Sequence, residues 1–99
     1  MNNYKIITTD AAKEDVKNIS SYIAKDNVRA AIAVTKLFKK YIEKLSNFPN
    51  LGKQKEGIRD KEILIFTVKQ RYSIAYKVID KNIVVLRILS RYQDIFAIL

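Results

Sequence analysis

Cations at strand and loop edges are the chemically informative feature of this chain. Arg59 follows Gly57 in a polar loop, Arg71 opens an apolar alternating run, and Arg87 lies inside the next such run. That run ends in the polar cluster Arg91-Tyr92-Gln93-Asp94. Lys53 and Lys55 sit upstream. A guanidinium fork matches a carboxylate or phosphate in two-pronged geometry. Arg59, Arg71, Arg87, Arg91, Tyr92, Gln93 and Asp94 are therefore candidates for binding an anionic or acidic partner, with Lys53 and Lys55 as candidate RNA contacts. Structural readings compete. Arg59 has Asp60 and Glu62 beside it. Arg71 and Arg87 can lie over apolar neighbours with their heads in water, and Arg87, between Val85 and Leu89, suits an ion pair. Asp94 suits a cap near the C-terminus.

No acid–base set accompanies these cations. The chain has no histidine and no cysteine. That removes a Ser-His triad, thiol chemistry, disulfides and almost every transition-metal site. No cofactor or metal is expected. The absence of cysteine is compatible with a reducing compartment. The opening Met-Asn-Asn-Tyr-Lys lacks the apolar run of a signal peptide, and no segment is apolar over the length of a bilayer. A cytoplasmic protein with no membrane partner is the expectation. The net charge of +9, from 19 basic and 10 acidic residues, by itself favours nucleic acid, an acidic protein or an anionic membrane surface as partner.

With 99 residues, 48% of them hydrophobic, the chain is one domain spanning 1–99 with one modest core. Tyr4 to Thr8 alternates as a short strand. Asp10 is placed to cap a helix. Ala12, Val16, Ile19 and Ile23 then repeat at helical spacing. Asp26-Asn27 breaks that helix and starts a second, from Val28 to Asn47, with Ala31, Val34, Phe38, Tyr41 and Leu45 on one face. Lys36, Lys40 and Lys44 lie on its opposite, solvated face. The short connection makes an antiparallel helix hairpin. Phe48-Pro49-Asn50-Leu51-Gly52 stops the second helix.

After a polar loop over 53–61 come three strands: Ile63 to Val68, Arg71 to Ile79 and Ile83 to Leu89. Lys69-Gln70 is a tight turn, and Asp80-Lys81-Asn82 a hairpin loop. Tyr72, Ile74, Tyr76 and Val78 share one face, as do Val84, Leu86 and Ile88. The last strand is apolar on both sides and reads as central. The expectation is an α+β fold of order β-α-α-β-β-β: a small antiparallel sheet with the helix hairpin on one face. Lys69, Arg71, Ser73, Lys77, Arg87 and Arg91 would dress the other.

In this order the elements resemble the RelE/ParE superfamily of toxins from type II toxin–antitoxin modules, over nearly the whole chain. Ala12, Asp15-Val16, Ile19 and Tyr22-Ile23 are similar to its first-helix pattern, and Ala30-Ala31 to its second-helix opening. Leu45, Pro49 and Leu51-Gly52-Lys53 resemble its helix exit, and Gly57-Ile58-Arg59 its Gly-Leu-Arg. Tyr72-Ser73-Ile74-Ala75-Tyr76-Lys77-Val78 resembles Tyr-Arg-Ile-X-Tyr-X-Val. Leu89-Ser90-Arg91-Tyr92-Gln93-Asp94 resembles Leu-His-Gly-Arg-Gln-Asp. Ser73 stands where the family has a strand arginine, and Ser90-Arg91 where it has His-Gly. The tyrosine-rich strand and the Gln-Asp ending look more like the ParE branch.

That resemblance implies a toxin that inhibits DNA gyrase, neutralised by a small, acidic, partly disordered cognate antitoxin. The alternative it leaves open is a RelE-like endoribonuclease that cleaves mRNA on the ribosome, with Lys53, Lys55, Arg59, Arg71 and Arg91 as the actors.

Overall fold

The computed structural model describes residues 4–99; the reading of residues 1–3 as part of a leaderless start lies outside them. Strand β1 is Lys5–Thr8, helix α1 Asp10–Ala24 and helix α2 Val28–Asn47. Strands β2 (Leu64–Val68), β3 (Tyr72–Ile79) and β4 (Asn82–Ser90) follow, then a short helix α3, Ile95–Ile98.

Local chemistry explains the boundaries. Thr9, not Asp10, caps α1: its Oγ1 accepts the Ala12 N–H at 3.1 Å. Asp10 instead begins the helix, where its charge suits the positive end of the dipole. Asn27 caps α2 by accepting the Ala30 N–H at 3.0 Å. The β2–β3 connection, residues 69–71, holds Lys69 and Gln70 at φ of 54° and 59°, a left-handed pair closed by the Arg71 N–H donating to the Val68 carbonyl at 3.1 Å.

The strand order is β1-β4-β3-β2. β2, β3 and β4 are antiparallel neighbours, but β1 runs parallel to β4. The sheet is therefore mixed rather than wholly antiparallel. The helix hairpin carries the chain from β1 to the far edge of the sheet, and the two hairpins that follow bring β4 back beside β1, pointing the same way.

The hairpin packs on one sheet face, where Phe38, Leu45, Ile74, Tyr76, Ile83 and Ile88 are almost fully buried. Phe38 meets Tyr72 edge-on at 4.9 Å between ring centres. The Tyr76 hydroxyl donates to the Pro49 carbonyl at 2.7 Å and accepts the Gly52 N–H at 2.8 Å, fixing the exit from α2. A Cβ on Gly52 would fall 2.6 Å from the Tyr76 ring, so only glycine fits there.

The opposite face is not bare. The polar loop carries two apolar anchors, Ile58 and Ile63, which bury with Ile65 and Ala75 into a second, smaller core. Leu86, Ile95 and Leu99 pack against it. The register shift between Ala75 and Tyr76 reflects a bulge at Leu86 in β4. The extra residue switches parity: Ile83, Val85 and Ile88 face the helices, while Leu86 joins the second core. The expected grouping of Val84, Leu86 and Ile88 on one face is corrected accordingly.

Candidate functional site: a cationic groove at the sheet end

The second half of α1 and the far ends of β3 and β4 enclose a cleft of about 730 Å³. Asn18, Ile19, Tyr22 and Ile23 form one wall. Asn18 and Tyr22, and Ile19 and Ile23, are each four residues apart, which puts them on one side of α1. The other wall is Arg71 and Tyr72 with the segment Ser90–Gln93. Tyr72 is part of the floor, held by its edge contact with Phe38.

Arg71 and Arg91 meet at the end of the β3–β4 ladder, where the Arg91 N–H donates to the Arg71 carbonyl at 2.8 Å. Neither has a carboxylate partner among the described residues. Arg91 Nη2 donates to the Tyr92 hydroxyl at 2.9 Å, with its guanidinium carbon 5.0 Å from the ring centre. That hydrogen bond, then the charges of Arg91 and Arg71, hold the Tyr92 phenol below its ordinary range. Tyr22 and Tyr92 are 74% and 83% exposed. Both stand at the rim, with Arg91 over the Tyr92 ring and Lys25 over that of Tyr22.

The other candidates are placed elsewhere. Arg87 does not stand free on the outer face. Its Nε and Nη2 donate to the two Asp15 oxygens at 2.7 and 2.8 Å. This raises its pKa above an ordinary guanidinium. Gln93 accepts the Ser90 N–H at 2.8 Å through its side-chain oxygen, and Asp94 caps α3 by accepting the N–H groups of Phe96 and Ala97. Of the four-residue cluster, then, Arg91 and Tyr92 present their polar atoms outward, and Gln93 and Asp94 serve the backbone.

Lys53, Lys55 and Arg59 belong to the loop beside β2 and do not line the groove. Lys53 exchanges both backbone bonds with Ile65, extending the sheet edge by one bridge. The Lys55 ammonium sits 5.7 Å from the Phe96 ring centre. Arg59 is exposed, and Asp60 pairs with Lys77 in its place. That hydrogen bond and the Lys77 charge lower the Asp60 pKa and raise that of Lys77. Lys77, expected as part of a free cationic face, is thus tethered. The cations form separate groups rather than dressing one sheet face together.

Sequence reading missed the α1 half of the groove. Asn18 and Tyr22 carried a visible signal: a polar and an aromatic residue one turn apart, flanking the apolar stripe of α1. Among the described residues no helix is long and apolar enough to cross a membrane. No three acidic, cysteine or histidine residues gather among them to hold a metal.

Fold and groove together define a small α+β domain with a cationic cleft at one end of its sheet. Residues 6–95 match the family described as the ParE toxin of the type II toxin–antitoxin system, parDE. The chain belongs to that family. Among solved structures it is similar to a chain of the chromosomal ParDE toxin–antitoxin system of P. aeruginosa, with a TM-score of 0.75 and 18% identity over 91% of this chain and 98% of that one. It is also similar to a chain of the toxin–antitoxin complex RelBE2 of Mycobacterium tuberculosis, with a TM-score of 0.62 and 22% identity over 90% of this chain and 99% of the other. A comparison with functionally curated proteins found no match.

Proposed function

We propose that this ParE-family toxin acts by binding DNA gyrase rather than by cleaving a substrate, and that a small, acidic, partly disordered antitoxin holds it inactive in the cytoplasm. The observation that carries this reading is the groove: two arginines without carboxylate partners and two exposed tyrosines around an apolar floor. Such a surface suits a protein segment that brings both carboxylates and apolar side chains. The net charge of +9 adds attraction for an acidic partner at a distance. The antitoxin tail lies across the strand ends and the helix hairpin in this reading. The named relatives come from toxin–antitoxin complexes, which supports an antitoxin as partner.

A RelE-like mRNA endoribonuclease is the second reading. Tyr92, with its phenol lowered by Arg91, favours it. The separation of Lys53, Lys55 and Arg59 from Arg71 and Arg91 weighs against it, because phosphoryl transfer needs its stabilising charges aimed at one phosphate. Purified toxin is tested on gyrase in a supercoiling assay and on translating ribosomes followed by primer extension. Loss of supercoiling with intact message is the expected result. Codon-positioned cuts with normal supercoiling would overturn the gyrase reading in favour of the nuclease.

A further inference from the structure

β1 stops at Thr8, whereas β4 continues to Ser90. Beyond Val85, β4 therefore has no strand on that side, and the start of α1 takes the place of one. The Thr9 N–H donates to the Val85 carbonyl at 3.1 Å, and Thr9 Oγ1 to the Leu86 carbonyl at 2.9 Å. Asp15 accepts the Ile88 N–H at 2.9 Å while holding both nitrogens of the Arg87 fork. Asp15 is the one buried charged side chain among the described residues, 8% exposed. Burying a carboxylate is costly, and an apolar pair of similar volume commonly serves stability as well. A fork does something an apolar contact cannot: it fixes distance and plane together.

The position of this fork is informative. Three, four, seven and eight residues beyond Asp15 lie Asn18, Ile19, Tyr22 and Ile23, the α1 wall of the groove. Three to five residues beyond Arg87 lie Ser90, Arg91 and Tyr92, the opposite wall. One ion pair thus joins the roots of both walls without lining the groove itself.

We propose that Asp15 and Arg87 are positioning residues that set the separation of the groove walls, and through it which partner segment can enter. The proposal rests on the reading of the groove as the docking site. Loosening the fork lets α1 rock against β4, so a partner must first reorder the walls, and affinity falls.

The chain has no cysteine, so spin labels can be placed on an S21C/T67C pair without interference. These exposed positions lie on α1 and on the edge strand. Asp15→Asn and Arg87→Lys are compared in that background with Val34→Ala, which weakens the main core through α2 and leaves both fork residues in place. The expected result is a wider or shifted label distance in both fork variants and the parent distribution in Val34→Ala. Binding of the co-expressed cognate antitoxin should fall about tenfold, on the order of 1.4 kcal/mol, in the fork variants alone. Parent-like distances in Arg87→Lys, or equal loss of binding in Val34→Ala, would overturn the proposal, because the pair would then serve stability only. Should the parent protein bind no antitoxin, the docking reading fails, and the distances still judge whether the fork sets the walls.

Discussion

The two faces of the sheet are both apolar, but they are held by different means. One lies under two long helices and buries aromatic and branched side chains in continuous contact. The other lies under a loop and a four-residue helix, and depends on single pins: Ile58 and Ile63, the Asp60–Lys77 pair, and the Asp94 cap of α3. Gly57 is part of this thin cover. Its φ of +97° favours glycine, and a Cβ there would fall 2.8 Å from the Phe96 ring and displace it. The contrast teaches where free charge can persist. While Lys55 and Arg59 stand outside the thin cover, over the covered faces Arg87 and Lys77 each meet a carboxylate. At the sheet end, where both covers stop, Arg71 and Arg91 have none.

The comparison is broken most forcefully in the main core. Phe38→Ala should cost about 3–5 kcal/mol, and Ile63→Ala in the second core nearer about 2 kcal/mol because a thin cover collapses more easily. Urea unfolding of each variant measures both, and equal losses would remove the distinction between the faces. Arg87→Ala comes next. It strands the buried Asp15 carboxylate, and since Arg87 is partly solvated the loss should be about 2 kcal/mol. Arg91→Ala should stay within about 0.5 kcal/mol, as for surface positions. A similar loss for the two arginines would show that Arg91 is also structural.

Tyr76→Phe should cost about 1–2 kcal/mol, since the buried Gly52 N–H loses its acceptor. Burial raises the Tyr76 phenol above its usual range. The folded state therefore holds that proton more tightly. This contribution is intact below the ordinary tyrosine pKa and is lost as pH rises through the folded value. Alkaline unfolding monitored at several pH values should move in that direction, and Tyr76→Phe should abolish the extra slope.

The smaller effects lie on the surface. The Asp60 carboxyl is lowered chiefly by its hydrogen bond with Lys77, so its contribution is present above the ordinary aspartate pKa and disappears as pH falls through the folded value. Amide exchange over residues 53–63, measured against the intrinsic rate at each pH, should quicken in acid before that of the helices. Asp60→Asn should show that quickening already at neutral pH. Least of all, Tyr92 should titrate below an ordinary phenol and return toward it in Arg91→Gln, with unfolding unchanged. A Tyr92 titration indifferent to Arg91 would separate the two side chains in solution.

Much of the architecture was legible from residue order alone. The three-four repeat from Ala31 to Leu45, the Asn27 break, the Pro49-Gly52 stop and the Lys69-Gln70 turn each express a backbone rule that acts within a few residues. Helix and strand periods project burial directly onto the sequence, so the hairpin, the strands and the core face of β3 followed from them. Arg91 and Tyr92 were also visible as a polar cluster ending an apolar strand. What only tertiary structure decided were relations across the chain: β1 lying parallel to β4, the Leu86 bulge, Asn18 and Tyr22 facing Arg71, and the capture of Arg87 by Asp15, 72 residues away. The physical reason is that a side chain's period records whether it is buried, while the identity of its partner depends on which segments the closed sheet brings together.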